Sequence, residues 1–161
     1  SAAKKWALGP SFASAALPTL TLAQDDNPSW WTMTEGRSVS LHYGVPDSED
    51  VGLILQCDRP RAGAPAAKLK IYFPVEQRVR GGATNVQMRA GTVTGNVPAT
   101  ATPEEMYGGS ELTAYVPVTS PVIVEFARTG RIRFTAAGEL VNPAVAPVAK
   151  VAALLKVCRG S

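Results

Sequence analysis

The chain has little of what catalysis and metal binding usually require. Its 161 residues include one histidine and two cysteines, and Cys57 and Cys158 do not form a CxxC pair. No metal site and no cofactor are expected from such a set. No GxxxxGK[ST] or GxGxxG run is present to cradle a phosphate, and no serine sits in a GxSxG elbow. The formal net charge is only +3, a weak pull on nucleic acid. Tyr43, Tyr72, Tyr107 and Tyr115 form no stacking motif of the RNA-binding kind. No nucleic-acid partner is therefore expected.

Turn formers, by contrast, are abundant, with 13 prolines and 14 glycines. That composition implies many short elements and few long helices. At this length one domain is the natural expectation, with a core large enough to stand without metal.

The most legible stretch is 37–57, RSVSLHYGVPDSEDVGLILQC. Val39, Leu41 and Tyr43 alternate with Ser38, Ser40 and His42, which gives a strand with one apolar face. Val51, Leu53, Leu55 and Cys57 repeat the period, with Ile54 among the intervening residues. This second strand is greasier and belongs deeper in a sheet. Gly44, Pro46, Asp47, Ser48, Glu49 and Asp50 supply the turn chemistry between them.

The N-terminus has the layout of a secretory signal. Lys4 and Lys5 precede residues 6–22, which carry no charge, and Thr21-Leu22-Ala23 sets small residues before a cleavage after Ala23. Pro10 and Pro18 interrupt it too much for a transmembrane span. The alternative is a packed N-terminal segment, with Thr19-Leu20-Thr21-Leu22 adding a strand. Residues 1–23 are thus a leader or packed segment, and 24–161 a single β-rich domain.

Along the rest of the chain, Trp30-Trp31-Thr32-Met33-Thr34 reads as a strand ended by Glu35-Gly36, its paired tryptophans serving core packing. Residues 58–67 are a loop. Residues 68–73 (KLKIYF) alternate clearly, and 75–80 extend them. Strands are expected at 84–90 and 92–97 around Gly91, a loop over 99–109, and a strand at 110–118. At 120–130, Ser120 suits an N-cap, Pro121 the first helical position and Gly130 a stop, so a short helix is preferred although Val122-Ile123-Val124 would suit a strand. Residues 131–136 alternate as a strand. Asn142-Pro143 opens a helical region in which Val148, Val151, Ala152, Leu155 and Cys158 make the apolar stripe. The sum is a mainly β fold: an antiparallel β-sandwich or flattened barrel of about seven to nine strands with a C-terminal α-helix.

In a cytosolic protein the two cysteines would be buried thiols, and in an exported one a disulfide. The ordered pattern resembles a group of small, uncharacterised exported proteins of alphaproteobacteria. In that group a leader is followed by a Trp strand, an L-x-Y-G-x-P-x-S-D-like hairpin, a cysteine, and a last helix with a second cysteine. Leu41, Tyr43, Gly44, Pro46, Ser48, Cys57 and Cys158 match, and Glu49 stands where Asp is expected. The resemblance implies a periplasmic or secreted location and a Cys57–Cys158 disulfide. It carries no activity.

Two kinds of side chain remain as candidates. His42 as a general base would use Ser40 on the same strand face, with Asp47, Glu49 or Asp50 to orient it. The same acids are the one conceivable Ca²⁺ cluster, but they lack EF-hand spacing. Arg59, Arg61, Arg78, Arg80, Arg128, Arg131 and Arg133 are the basic positions, and Arg59, Arg61, Arg131 and Arg133 are the candidate anion-binding residues. The leading expectation is an exported, non-enzymatic protein whose partner is an envelope protein or an anionic surface ligand. The alternatives are a small hydrolase using His42, or an inhibitor-type module that plugs a wall-degrading enzyme with the loop at 58–64 or 99–109. The sequence sets no oligomeric state.

Overall fold

A strand that alternates apolar and polar residues can bury only one of its faces, so a sheet of such strands must wrap around something. The computed structural model describes residues 27–48 and 51–160. The leader at 1–23 and the acids Glu49 and Asp50 lie outside the described residues. The elements in chain order are β1 (Ser29–Glu35), β2 (Ser38–Gly44), β3 (Val51–Asp58), β4 (Leu69–Val75), β5 (Ala83–Ala90), β6 (Val93–Pro103), β7 (Ser110–Val116), α1 (Pro121–Thr129), β8 (Arg133–Ala136), β9 (Glu139–Val141) and α2 (Val148–Arg159). Among the described residues, nine strands form one antiparallel sheet in the order β1-β2-β3-β4-β7-β6-β5-β8-β9, curled into a half-barrel. The mainly β expectation, with its C-terminal helix, holds.

The concave side holds the core. Leu41, Leu53, Leu55, Leu69, Ile71, Phe73, Val86, Met88, Leu112 and Phe134 are all buried there. Helix α1 lies on β5 and β6, helix α2 lies on β2 and β3, and the two helices touch. Gly95 lets α1 sit close: a Cβ there would meet Val122 Cγ1 at 3.0 Å. Among the described residues, no helix is long and apolar enough to cross a membrane.

Helix α1 follows its sequence signals in outline. Pro121 opens it, and Gly130 closes it in the left-handed region, its N–H donating to Phe126 O. Ser120 occupies the N-cap position, but its hydroxyl donates to Pro117 O instead of capping. Val122 and Ile123 are buried with Phe126, and that packing outweighs their β preference.

Four expectations are corrected. Residues 99–103 belong to β6, where buried Ala99 and Ala101 pair with Ala114 and Leu112. Thr100 and Thr102 suit a strand, but the flanking Pro98 and Pro103 and the small Ala99 and Ala101 do not, and pairing with the neighbouring strands recruits the segment. The strand at 68–73 stops at Val75, and a short 3-10 turn at Arg80–Gly82 follows. Asn142-Pro143 opens no helix, because α2 begins at Val148. The buried stripe of α2 is Val151, Leu154, Leu155, Val157 and Cys158, while Val148 and Ala152 are exposed. The helix is turned to that face by what holds it: Cys158 is disulfide-bonded to Cys57 of β3, and its carbonyl accepts from Ala67 N–H at 2.8 Å.

That bridge, left open by the cysteines themselves, joins residues 101 apart in sequence, with Cα atoms 5.0 Å apart. Cross-linking a loop of that size restricts the unfolded chain by about 4–5 kcal/mol. The double variant Cys57→Ala/Cys158→Ala is expected to lose about that much stability, read as a lower urea midpoint. A shift under about 1 kcal/mol would mean that the unfolded chain is already constrained elsewhere.

Candidate functional site: an arginine cleft

Strands β5 and β8 pair antiparallel with Gln87 opposite Thr135, Met88 opposite Phe134, and Arg89 opposite Arg133. Met88 and Phe134 point into the core, so Arg89 and Arg133 leave the other face side by side. Side chains directly opposite across such a pair start about 5 Å apart, and like charges there are unfavourable. Arg131 lies two residues before Arg133, with buried Ile132 between them, and is exposed like its neighbour. The three arginines open onto a cleft of about 680 Å³, lined also by Gly91, Ile132, Asn142, Pro143, Ala144 and Val145. None of the described residues that line it is acidic.

The far wall is the irregular segment 142–145, and two contacts hold it. Trp30 of β1 donates its indole N–H to Ala144 O at 2.9 Å. Ala146 N–H donates to Gly130 O at 2.8 Å. Glycine is required at 130 twice over, because φ is +77° and a Cβ would lie 2.1 Å from Ala146 O. The near wall is stiffened where Arg89 Nε donates to Gly91 O at 3.1 Å. Below, the Glu139 carboxylate of β9 accepts from the N–H groups of Glu76 and Gln77 and ties the sheet edge to the end of β4.

The other basic residues go elsewhere. Arg128 forms an ion pair with Glu125 on α1 at 2.6 Å, which holds the glutamate below and the arginine above its ordinary pKa. Arg78 donates to the carbonyls of Glu104, Gly108 and Gly109. Arg59 and Arg61 are exposed in the β3–β4 loop, whose carbonyls at Arg59 and Pro60 accept from Arg37, and neither lines the cleft. The fold thus unites Arg131 with Arg133 and separates both from Arg59 and Arg61. It adds Arg89, which sequence reasoning passed over. Its one signal was a place on the polar phase of β5, and the β5–β8 adjacency that gives it meaning is not local information.

His42 lies on the convex face of β2. Its Nε2 is 2.8 Å from Ser40 Oγ, and its ring stacks on Trp31 with centroids 5.3 Å apart. Trp30 packs on the core rim against Tyr43, so the paired tryptophans serve opposite faces of β1. His42 Nδ1 is buried and has no partner among the described residues, so no carboxylate orients the ring there. Strand β2 is paired along both edges, which leaves its amides committed to the sheet rather than to an oxyanion. Burial holds the imidazole below its ordinary pKa of 6.5. Across the same face, Tyr72 is pushed up to about 12, first by burial, then by its hydrogen bond to Glu111 and the charges of Glu111 and Glu104. Among the described residues, no three His, Cys, Asp or Glu side chains gather to hold a metal ion.

Compared with protein families, curated proteins and solved structures, the chain matches none.

Two outcomes check this geometry. Trp30→Phe keeps the packing but loses the bond to Ala144 and is expected to cost about 0.5–1.5 kcal/mol in urea unfolding. His42, the only histidine, has a lowered folded-state pKa, so the unfolded chain takes the proton first. Its stabilising effect is complete above 6.5 and declines as pH falls through 6.5 towards the folded value. His42→Gln should flatten the loss of stability measured between about pH 8 and about pH 5.5. An unchanged slope would assign that loss to other groups.

Proposed function

We propose that this protein is an exported, non-enzymatic binding protein that takes an anionic ligand of the cell envelope between Arg89, Arg131 and Arg133. One observation carries the reading: Arg89 and Arg133 sit opposite each other across β5 and β8, beside a cleft that no acid among the described residues lines. Two guanidiniums so placed repel, and an anion that bridges them removes the repulsion. Guanidinium groups favour planar, bidentate pairing with carboxylate or phosphate oxygens. Pro143 and Val145 add an apolar wall for the carbon frame that carries the anion. Lipopolysaccharide phosphates and peptidoglycan carboxylates have this chemistry.

Export is supported by three features. A structural disulfide is typical of oxidising compartments and rare in the cytosol, the first residues have a leader's layout, and the hairpin and cysteines resemble those of small exported proteins. The hydrolase alternative has its Ser40–His42 contact, but no orienting acid among the described residues.

The test is co-sedimentation with purified peptidoglycan sacculi and titration with lipopolysaccharide, each at low and high salt. Arg89→Gln/Arg133→Gln is expected to weaken binding by about tenfold or more, as loss of charged hydrogen bonds implies. Arg133→Gln alone should unfold at a slightly higher urea concentration, by a few tenths of a kcal/mol, because it relieves the opposed charges and leaves the Arg89 bond to Gly91 in place. Binding that is absent for both ligands, or unaffected by the substitutions, would overturn the reading.

A further inference from the structure

The loop between β6 and β7, residues 104–109, is braced from inside and below. Glu104 N–H donates to Gly109 O at 2.9 Å, and Gly108 N–H donates to Glu104 O at 3.0 Å. Met106 N–H donates to the Glu104 carboxylate at 2.5 Å. The Arg78 guanidinium reaches under the loop to Gly108 O at 3.2 Å, Gly109 O at 3.1 Å and Glu104 O at 3.3 Å. Gly109 sits so close to β4 that a Cβ would lie 2.1 Å from Val75 O. The next residue, Ser110, is buried, and its hydroxyl accepts from Val79 N–H at 2.9 Å.

On this fixed base stand Met106 and Tyr107, 80% and 79% exposed. Among the described residues, the other exposed large apolar side chains reach at most 58%. A single exposed apolar residue needs no explanation, but two adjacent ones held out on a braced turn are a different case. Their backbone is already ordered, so docking would lose little further entropy. A Met and a Tyr also suit an anchor: one adapts to an irregular pocket, and the other adds a rigid ring with a polar tip.

The flanking charge selects the occupant. Glu104 and Glu105 stand beside the tip, and Glu111 lies nearby on β7, facing Tyr72 together with Glu104. An anionic lipid surface would be repelled by these acids. We propose that the Met106–Tyr107 tip is a docking plug that inserts into an apolar pocket with a basic rim on a protein partner. The proposal is independent of the arginine cleft and can fail or hold without it.

The experiment places a photoreactive benzoylphenylalanine at Tyr107 of the full chain and irradiates it in envelope extract, with the same group at exposed Leu140 as control. The expected result is one protein adduct specific to position 107, mapped by peptide mass to apolar residues flanked by Lys or Arg. Excess wild-type chain should suppress it, and Met106→Ser/Tyr107→Ser chain should compete at least about tenfold less well. That variant should keep the wild-type urea midpoint, since both side chains are exposed. Arg78→Ala, which leaves the tip residues in place but unbraces them, should also compete less well. No adduct, an adduct to lipid or to a second copy of this chain, or equal competition by the double variant would each overturn the proposal. So would co-sedimentation of the wild type, but not the double variant, with anionic phospholipid vesicles.

Discussion

A half-barrel of nine strands leaves a concave apolar face that water would otherwise reach, and everything else in this molecule serves to close it. Two short helices do so from opposite ends of the sheet, α1 over β5 and β6 and α2 over β2 and β3. Neither is long enough to be stable alone, so their helicity depends on the face they cover. The disulfide acts at this point. It joins the inner face of β3 to the last turn of α2 and fixes which side of that helix looks inward.

The cleft is a by-product of the same closure. After β7 the chain crosses the concave side as α1, and Gly130 turns it back so that β8 pairs with β5. That return places Arg133 opposite Arg89. After β9 the chain must travel to α2, and on the way residues 142–145 become the cleft's second wall. Trp30 of the first strand holds this wall, so the two ends of the sheet order meet at the cleft. The braced 104–109 loop depends on a different junction, where Arg78, just past the end of β4, reaches three carbonyls of a turn some thirty residues away.

Local alternation was enough to read most of the strands. The β2–β3 hairpin appears at the expected residues, because period-two patterning on both arms and Gly, Pro and Asp between them act over short range. α1 was legible from Ser120, Pro121 and Gly130 despite its β-branched start. The end of β6 was not legible. Ala99 and Ala101 become strand because β7 presents Ala114 and Leu112 opposite them, and β5 presents Thr84 on the other side of Ala99. The face of α2 was misread by part of a turn, since several apolar residues on that helix allow more than one stripe and only the bridge to β3 chooses.

With β9, the end of β6 and the start of α2 aside, the chain alone carries the elements, the main turns and the one-sided apolar character of the strands. These depend on neighbours one to four residues away and on backbone preferences at Gly and Pro. Tertiary structure alone decided the strand order, the rotation of α2 and the company each charged residue keeps. Arg59 and Arg131 are equal candidates for anion binding in the sequence, yet only Arg131 opens onto the cleft. The physical reason is that a like-charged pair, a cleft wall or a loop brace exists only between segments far apart in the chain, and burial of the shared core selects which segments meet.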